Sequence, residues 1–113
     1  MITVKFYQKP SAGSIHMDLK GHANAAPKGE DLICASATML AYTVAQVVQF
    51  MHEQGKLKKK PKIVLKEGNA TVIATPDEEA YAEALHAFWV AQCGVHVLAQ
   101  NYPQNVKLEH LKV

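Results

Sequence analysis

The sequence predicts an α+β fold in the order ββαββαβ, a mostly antiparallel sheet with two helices packed on it. Three observations carry this prediction. Segments of alternating apolar and polar residues are joined in pairs by short turn-forming stretches, and such hairpins demand antiparallel pairing. Two long apolar stretches with start and stop signals separate and follow those pairs. A last alternating segment closes the chain.

In chain order, Ile2, Val4 and Phe6 lie on one face of a first strand, Ile2 to Gln8, and Ile15, Met17 and Leu19 do the same in a second, Ser14 to Lys20. Lys9 to Gly13 reads as the loop between them. After a polar segment from Gly21 to Glu30, Asp31 is placed to cap a helix running to about Gln54, with Gly55 as its stop. That helix is apolar nearly all round, with Ala37, Ala41 and Ala45 in a small-residue stripe. It is therefore expected to be covered on more than one side, by the sheet and by a second helix or a partner subunit. Lys62 to Leu65 and Thr71 to Thr75 are β-branched runs joined by a tight turn through Gly68-Asn69. Thr75-Pro-Asp-Glu78 reads as a capping box with proline at the first helical position. It opens a second helix that reaches about Tyr102 and is ended by Pro103. Tyr81, Leu85, Phe88, Gln92 and Val95 form its inner stripe, with Gly94 a weak point. Asn105 to Val113 is the last strand, with Val106, Leu108 and His110 in alternation.

At 113 residues, the chain is one domain, 1–113. Hydrophobic residues make up 49% and charged ones 19%, enough apolar surface for a core without staples. The opening MITVKFYQKP has no apolar core of a signal peptide. No apolar run reaches the ~18 residues of a membrane span, because Ser36, Thr38, Thr43, Gln46 and Gln49 interrupt Leu32 to Met51. The expectation is a cytoplasmic protein with no membrane partner. A net charge of +2 is too mild to announce a nucleic-acid binder, and no direct nucleic-acid contact is required. The cluster Lys56 to Lys62 reads as a solvated connector, or as a contact for an acidic partner such as a ribosomal surface. Cys34 and Cys93 make no disulfide framework. His16, placed on the polar face of the second strand, and His52, His86, His96 and His110 lack metal-ligand spacing, so neither metal nor cofactor is expected. Cys93 reads as a core residue. Phe88 and Trp89 read as packing in the core or at a dimer seam, and Tyr7 and Tyr42 as packing rather than groove lining.

One stretch, Gly21 to Thr38, combines reactive residue types. With Asp31 as N-cap, Cys34 falls at the third helical position, where unpaired backbone N–H groups and the helix dipole favour a thiolate. The nearest candidate base is His22, 12 positions earlier, so the intervening loop must fold back. Gly21 and Gly29 bracket that loop as hinges, Glu30 and Asp31 are carboxylates able to orient an imidazole, and Thr38 lies one turn beyond Cys34 on the same helix face. From spacing alone the bland reading is the commoner one: a small core cysteine, a simple cap at Asp31 and a turn histidine.

The run Gly21-His22-Ala23, then five variable residues, then Gly29, Asp31, Leu32, Ile33, Cys34 and Ala35 closely resembles the signature of the ribosomal-processing cysteine protease family, Prp. The first strand, the order of elements and the closing Asn101 to Lys107 extend the resemblance along the chain. It implies a small α/β fold, a homodimer, and a peptide substrate: the N-terminal extension of large-subunit ribosomal protein twenty-seven, removed during ribosome assembly. Carried over, Cys34 is the nucleophile and His22 its partner base. Asp31 is the acidic position beside the dyad, as cap or as orienter. The segment from His22 to Gly29, with Ala23, is the mobile loop that orders over bound peptide. Two departures stand out: Thr38 where serine is expected, and a less acidic loop at Ala25 to Lys28. The implied reaction is acyl transfer from peptide to Cys34 and then to water, with the oxyanion held by N–H groups of the helix start. The alternative is a noncatalytic ribosome- or peptide-binding module of the same fold, docking through an exposed sheet edge.

Overall fold

The computed structural model describes residues 1–23 and 31–111. Strands β1 (Ile2–Lys9) and β2 (Ser14–Gly21) form the first hairpin, with Lys9 opposite Ser14. Helix α1 (Leu32–Glu53) follows, then β3 (Lys62–Lys66), β4 (Asn69–Ala74), helix α2 (Tyr81–Asn101) and β5 (Val106–Leu111). The order of elements is the expected ββαββαβ. The strands make one sheet, β3-β4-β2-β1-β5, antiparallel throughout except that β5 runs parallel to β1.

Strand alternation puts Ile2, Val4, Phe6, Ile15, Met17, Leu19 and Val72 on one face, all buried. Both helices cover that face. α1 packs on β4 and β3, and α2 on β2, β1 and β5. The inner stripe of α1 is Ala37, Ala41, Val44, Ala45, Val48 and Met51, and that of α2 is Ala84, Phe88, Ala91 and Val95. Each fully buried Val or Met side chain contributes about 1.5–3 kcal/mol by leaving water. The small residues let the helices approach closely: a Cβ on Gly94 would meet Leu40 Cδ2 at 2.8 Å. Gly94 thus makes room for the α1 side chain, and is not merely a weak point.

The outer side of α1 is open. Leu32, Met39, Tyr42 and Phe50 are exposed, while the sheet and α2 cover the helix on two other sides, as expected. By length and mean hydropathy α1 also meets the requirement for a bilayer span, despite its polar interruptions. Here it carries a packed inner stripe against the sheet, as core helices do.

Both ends of α1 carry the caps its sequence encodes. Asp31 Oδ1 accepts the Cys34 N–H at 2.8 Å. At the other end Gly55 N–H donates to His52 O and Lys56 N–H to Met51 O, a Schellman stop with Gly55 at φ +72°. The second start signal is not used. Thr75 and Pro76 stay extended, because Pro76 forms a bridge with Leu57 and Thr75 O accepts the Lys58 N–H. The capping box is therefore absent. A short 3₁₀ turn, Glu78–Ala80, leads into α2 at Tyr81 instead. The β3–β4 turn is Glu67-Gly68, one residue earlier than the Gly68-Asn69 reading, since Lys66 pairs with Asn69.

Two side chains depart from expectation. Cys93, read as core, is exposed on the outer side of α2, as is Trp89, which lies beside His86. His16 is on the polar face of β2 yet buried, at 5% exposure. Its ring stacks on Tyr7 at 4.5 Å, and its Nε2 lies 2.7 Å from Ser14 Oγ. Tyr7 in turn donates to Asp18 Oδ2, and Thr71 to Asp18 Oδ1. Cross-strand neighbours thus roof the histidine without a second layer.

Candidate active site

The direction of α1 decides where its first turn lies. Its last turn sits beside the end of β4, because Lys56 to Lys58 are tied to Thr75 and Asp77. A helix of 22 residues rises about 33 Å, longer than any strand beneath it. Its start therefore reaches the opposite end of the sandwich. That end also holds the finish of β2 at Gly21, the β3–β4 turn and the start of β5. Cys34, in the first turn of α1, and His22, just past β2, are brought to the same end.

Cys34 is half-buried and packs against the core. Asp31 holds it through the backbone, so the Cys34 amide serves the cap. Thr38, half-buried, follows one turn later on α1.

The backbone around His22 is fixed on three sides. Gly21 N–H donates to Gly68 O at 3.0 Å. The Met1 ammonium donates to His22 O. Asn105 Nδ2 donates to Ala23 O at 2.8 Å, while Asn105 O accepts the Ile2 N–H. Ala23 is buried, and its methyl anchors the root of the loop in the core. Gly21 must be glycine: its φ is +95°, and a Cβ there would stand 2.3 Å from the Met1 carbonyl oxygen. The His22 side chain is exposed and its Nε2 end lies over Gly68. Among the described residues, no hydrogen bond joins His22 to Cys34. Residues 24–30, with the second hinge Gly29, Glu30 and the less acidic stretch Ala25 to Lys28, lie outside the described residues.

Sequence reasoning missed Gly68 and Asn105 as members of this region. The first is detectable from register, since pairing β2 with β4 places Gly21 opposite Gly68. The second has no local signal, because it reaches Ala23 from 82 residues away. A further groove between α2 and the far end of β1, lined by Phe6, Gln8, Leu85, His86 and Trp89, contains none of Cys34, His22 or Asp31. Among the described residues no cluster of three His, Cys, Asp or Glu side chains is arranged to hold a metal ion.

A two-layer α+β domain with a capped helix-start cysteine and a histidine at the same end fits a small thiol peptidase. The model of the family described as cysteine protease Prp matches residues 1–107, and the chain belongs to that family. No curated protein matches it in sequence. Among solved structures, the chain is similar to the essential ribosomal processing protease Prp from S. aureus in complex with a covalently linked product peptide. The TM-score is 0.75 and the identity 19%, over 98% of this chain and 100% of that one. The same S. aureus protease in complex with a substrate peptide gives a TM-score of 0.66 at 18% identity, over 98% and 100% of the two chains. SMU.848 from Streptococcus mutans gives 0.70 at 19%, over 100% and 96%.

Proposed function

We propose that this chain is a thiol endopeptidase that removes the N-terminal extension of large-subunit ribosomal protein twenty-seven during ribosome assembly, with a Cys34–His22 dyad. The observation that carries the reading is the family membership, supported by the position of Cys34 in the first turn of α1 and of His22 just past β2, toward the same end of the sandwich. Support for a peptide substrate comes from the similar S. aureus protease, whose structures hold a product and a substrate peptide.

In this reading the Cys34 sulfur attacks the scissile carbonyl and the C–N bond breaks as His22 passes a proton to the leaving amine. Water, losing a proton to His22, then hydrolyses the thioester, releasing the new carboxyl end and restoring the thiol. The oxyanion falls to the amides of Leu32 and Ile33, because the Cys34 amide is engaged by Asp31. The chain works as a homodimer in the cytoplasm, with the exposed apolar sides of α1 and α2 as the seam.

The test is cleavage of a peptide spanning the extension. Wild type is expected to cut it, while Cys34→Ala and His22→Ala lose rate by roughly a thousandfold. Retained cleavage in Cys34→Ala ends the thiol mechanism. Tight binding without cleavage by wild type favours the noncatalytic module.

A further inference from the structure

We propose that Gly68, in the β3–β4 turn, is a positioning residue for the His22 imidazole: a side chain at this position displaces the ring. The proposal rests on the reading of His22 as the acid–base group.

The geometry is specific. A Cβ built on Gly68 would stand 2.6 Å from His22 Nε2, 3.0 Å from Cε1 and 3.4 Å from Cδ2. Ordinary contact distances between such atoms are about 3.5–4.0 Å, so the ring occupies the space a side chain would need. The turn is itself held in place. Gly21 N–H donates to Gly68 O at 3.0 Å, and Lys20 Nζ donates to Asn69 Oδ1 at 2.6 Å across the paired residues Lys20 and Asn69. The backbone on which the ring rests therefore moves with the sheet. An exposed histidine on a loop root would otherwise sample several rotamers. The notch over Gly68 selects among them, and a rigid platform for a proton-transfer group is what preorganisation requires.

A competing explanation is that Gly68 is glycine only because its φ is +70°. Gly13 and Gly55 separate the two. Their φ values, +64° and +72°, are closely similar, yet among the described residues a Cβ at either would meet nothing within 4 Å. Alanine at those sites imposes the same backbone strain with no steric contact. Asparagine, which tolerates positive φ, keeps the steric contact at position 68 while relieving most of the strain.

The experiment compares Gly68→Ala and Gly68→Asn with Gly13→Ala and Gly55→Ala. In wild type, a nuclear Overhauser contact is expected between the His22 ring protons and the Gly68 α-protons. Both Gly68 variants are expected to shift the His22 ring resonances and lower kcat between about ten- and a hundredfold, with KM nearly unchanged. The Gly13 and Gly55 variants are expected to lose melting temperature while keeping kcat and the His22 resonances. Equal kcat in Gly68→Asn and wild type overturns the proposal and leaves the protease reading intact. Absence of the Overhauser contact in wild type overturns it whichever variants fold. Cleavage surviving in Cys34→Ala instead removes the protease reading, and with it the catalytic meaning of the notch, while the ring contact itself still stands.

Discussion

His16 shows how much one buried side chain sets at the residue scale. Among the described residues its Nδ1 has no hydrogen-bond partner, and Nε2 is taken by Ser14. A second proton would place a charged N–H in a site without an acceptor. Burial thus lowers its pKa, Lys9 lowers it further, and Asp18 offsets part of this. The unfolded chain then binds the proton more readily, near its ordinary value of about 6.5. Stability is fully present above that value and falls as pH drops from it towards the lowered folded-state value. Denaturant titrations at a series of pH values should show this fall, and His16→Gln should flatten it. An unchanged slope in the variant would remove His16 as the source. The sequence placed His16 on the correct face but could not report its burial, which comes from Tyr7 directly opposite and Ser14 two residues earlier.

Helices and strands were legible where local chemistry alone decides them. Alternation fixed β1 and β2, and Asp31 and Gly55 marked the ends of α1. Legibility failed where distant partners compete with a local signal: the Thr75 capping box gave way to pairing with the segment after α1, and Cys93 faces outward because α2 packs by Ala84, Phe88, Ala91 and Val95. Of the candidate site, the types and chain positions of Cys34, Asp31 and His22 could be read, but not the supports of His22, which arrive from Gly68 and Asn105. The cap also makes a prediction at the scale of the element. Asp31→Ala should destabilise the protein by about 1 kcal/mol, or about 4 °C in melting temperature, whereas Asp31→Asn should be close to neutral. Cleavage assays on the same pair then separate two functions of the carboxylate. Full activity in Asp31→Asn would confine it to capping, and lost activity at unchanged melting temperature would assign it to His22.

For the whole molecule, the question is what lies against the helical layer. Met39, Tyr42 and Phe50 on α1 and Trp89, Val90 and Val97 on α2 leave an apolar surface facing away from the sheet. Monomeric proteins rarely leave large contiguous apolar areas uncovered. Sedimentation of wild type should therefore show a dimer, and Phe50→Glu combined with Trp89→Glu should give a monomer with unchanged circular dichroism. A wild-type chain that sediments as a monomer would rule out this seam.

The parallel pairing of β5 with β1 has a consequence in time. Ile2 meets Val106, so the first strand gains its second neighbour only when the last segment has been made. Asn105, which holds the Ala23 carbonyl, belongs to that same late segment. Contacts of such long range slow folding, since loop closure precedes any gain from them. The root of the histidine loop is thus among the last parts to be secured. A nascent chain carries its cysteine long before it carries the strand that steadies the histidine's side of this end, so the two supports of the region are completed in sequence.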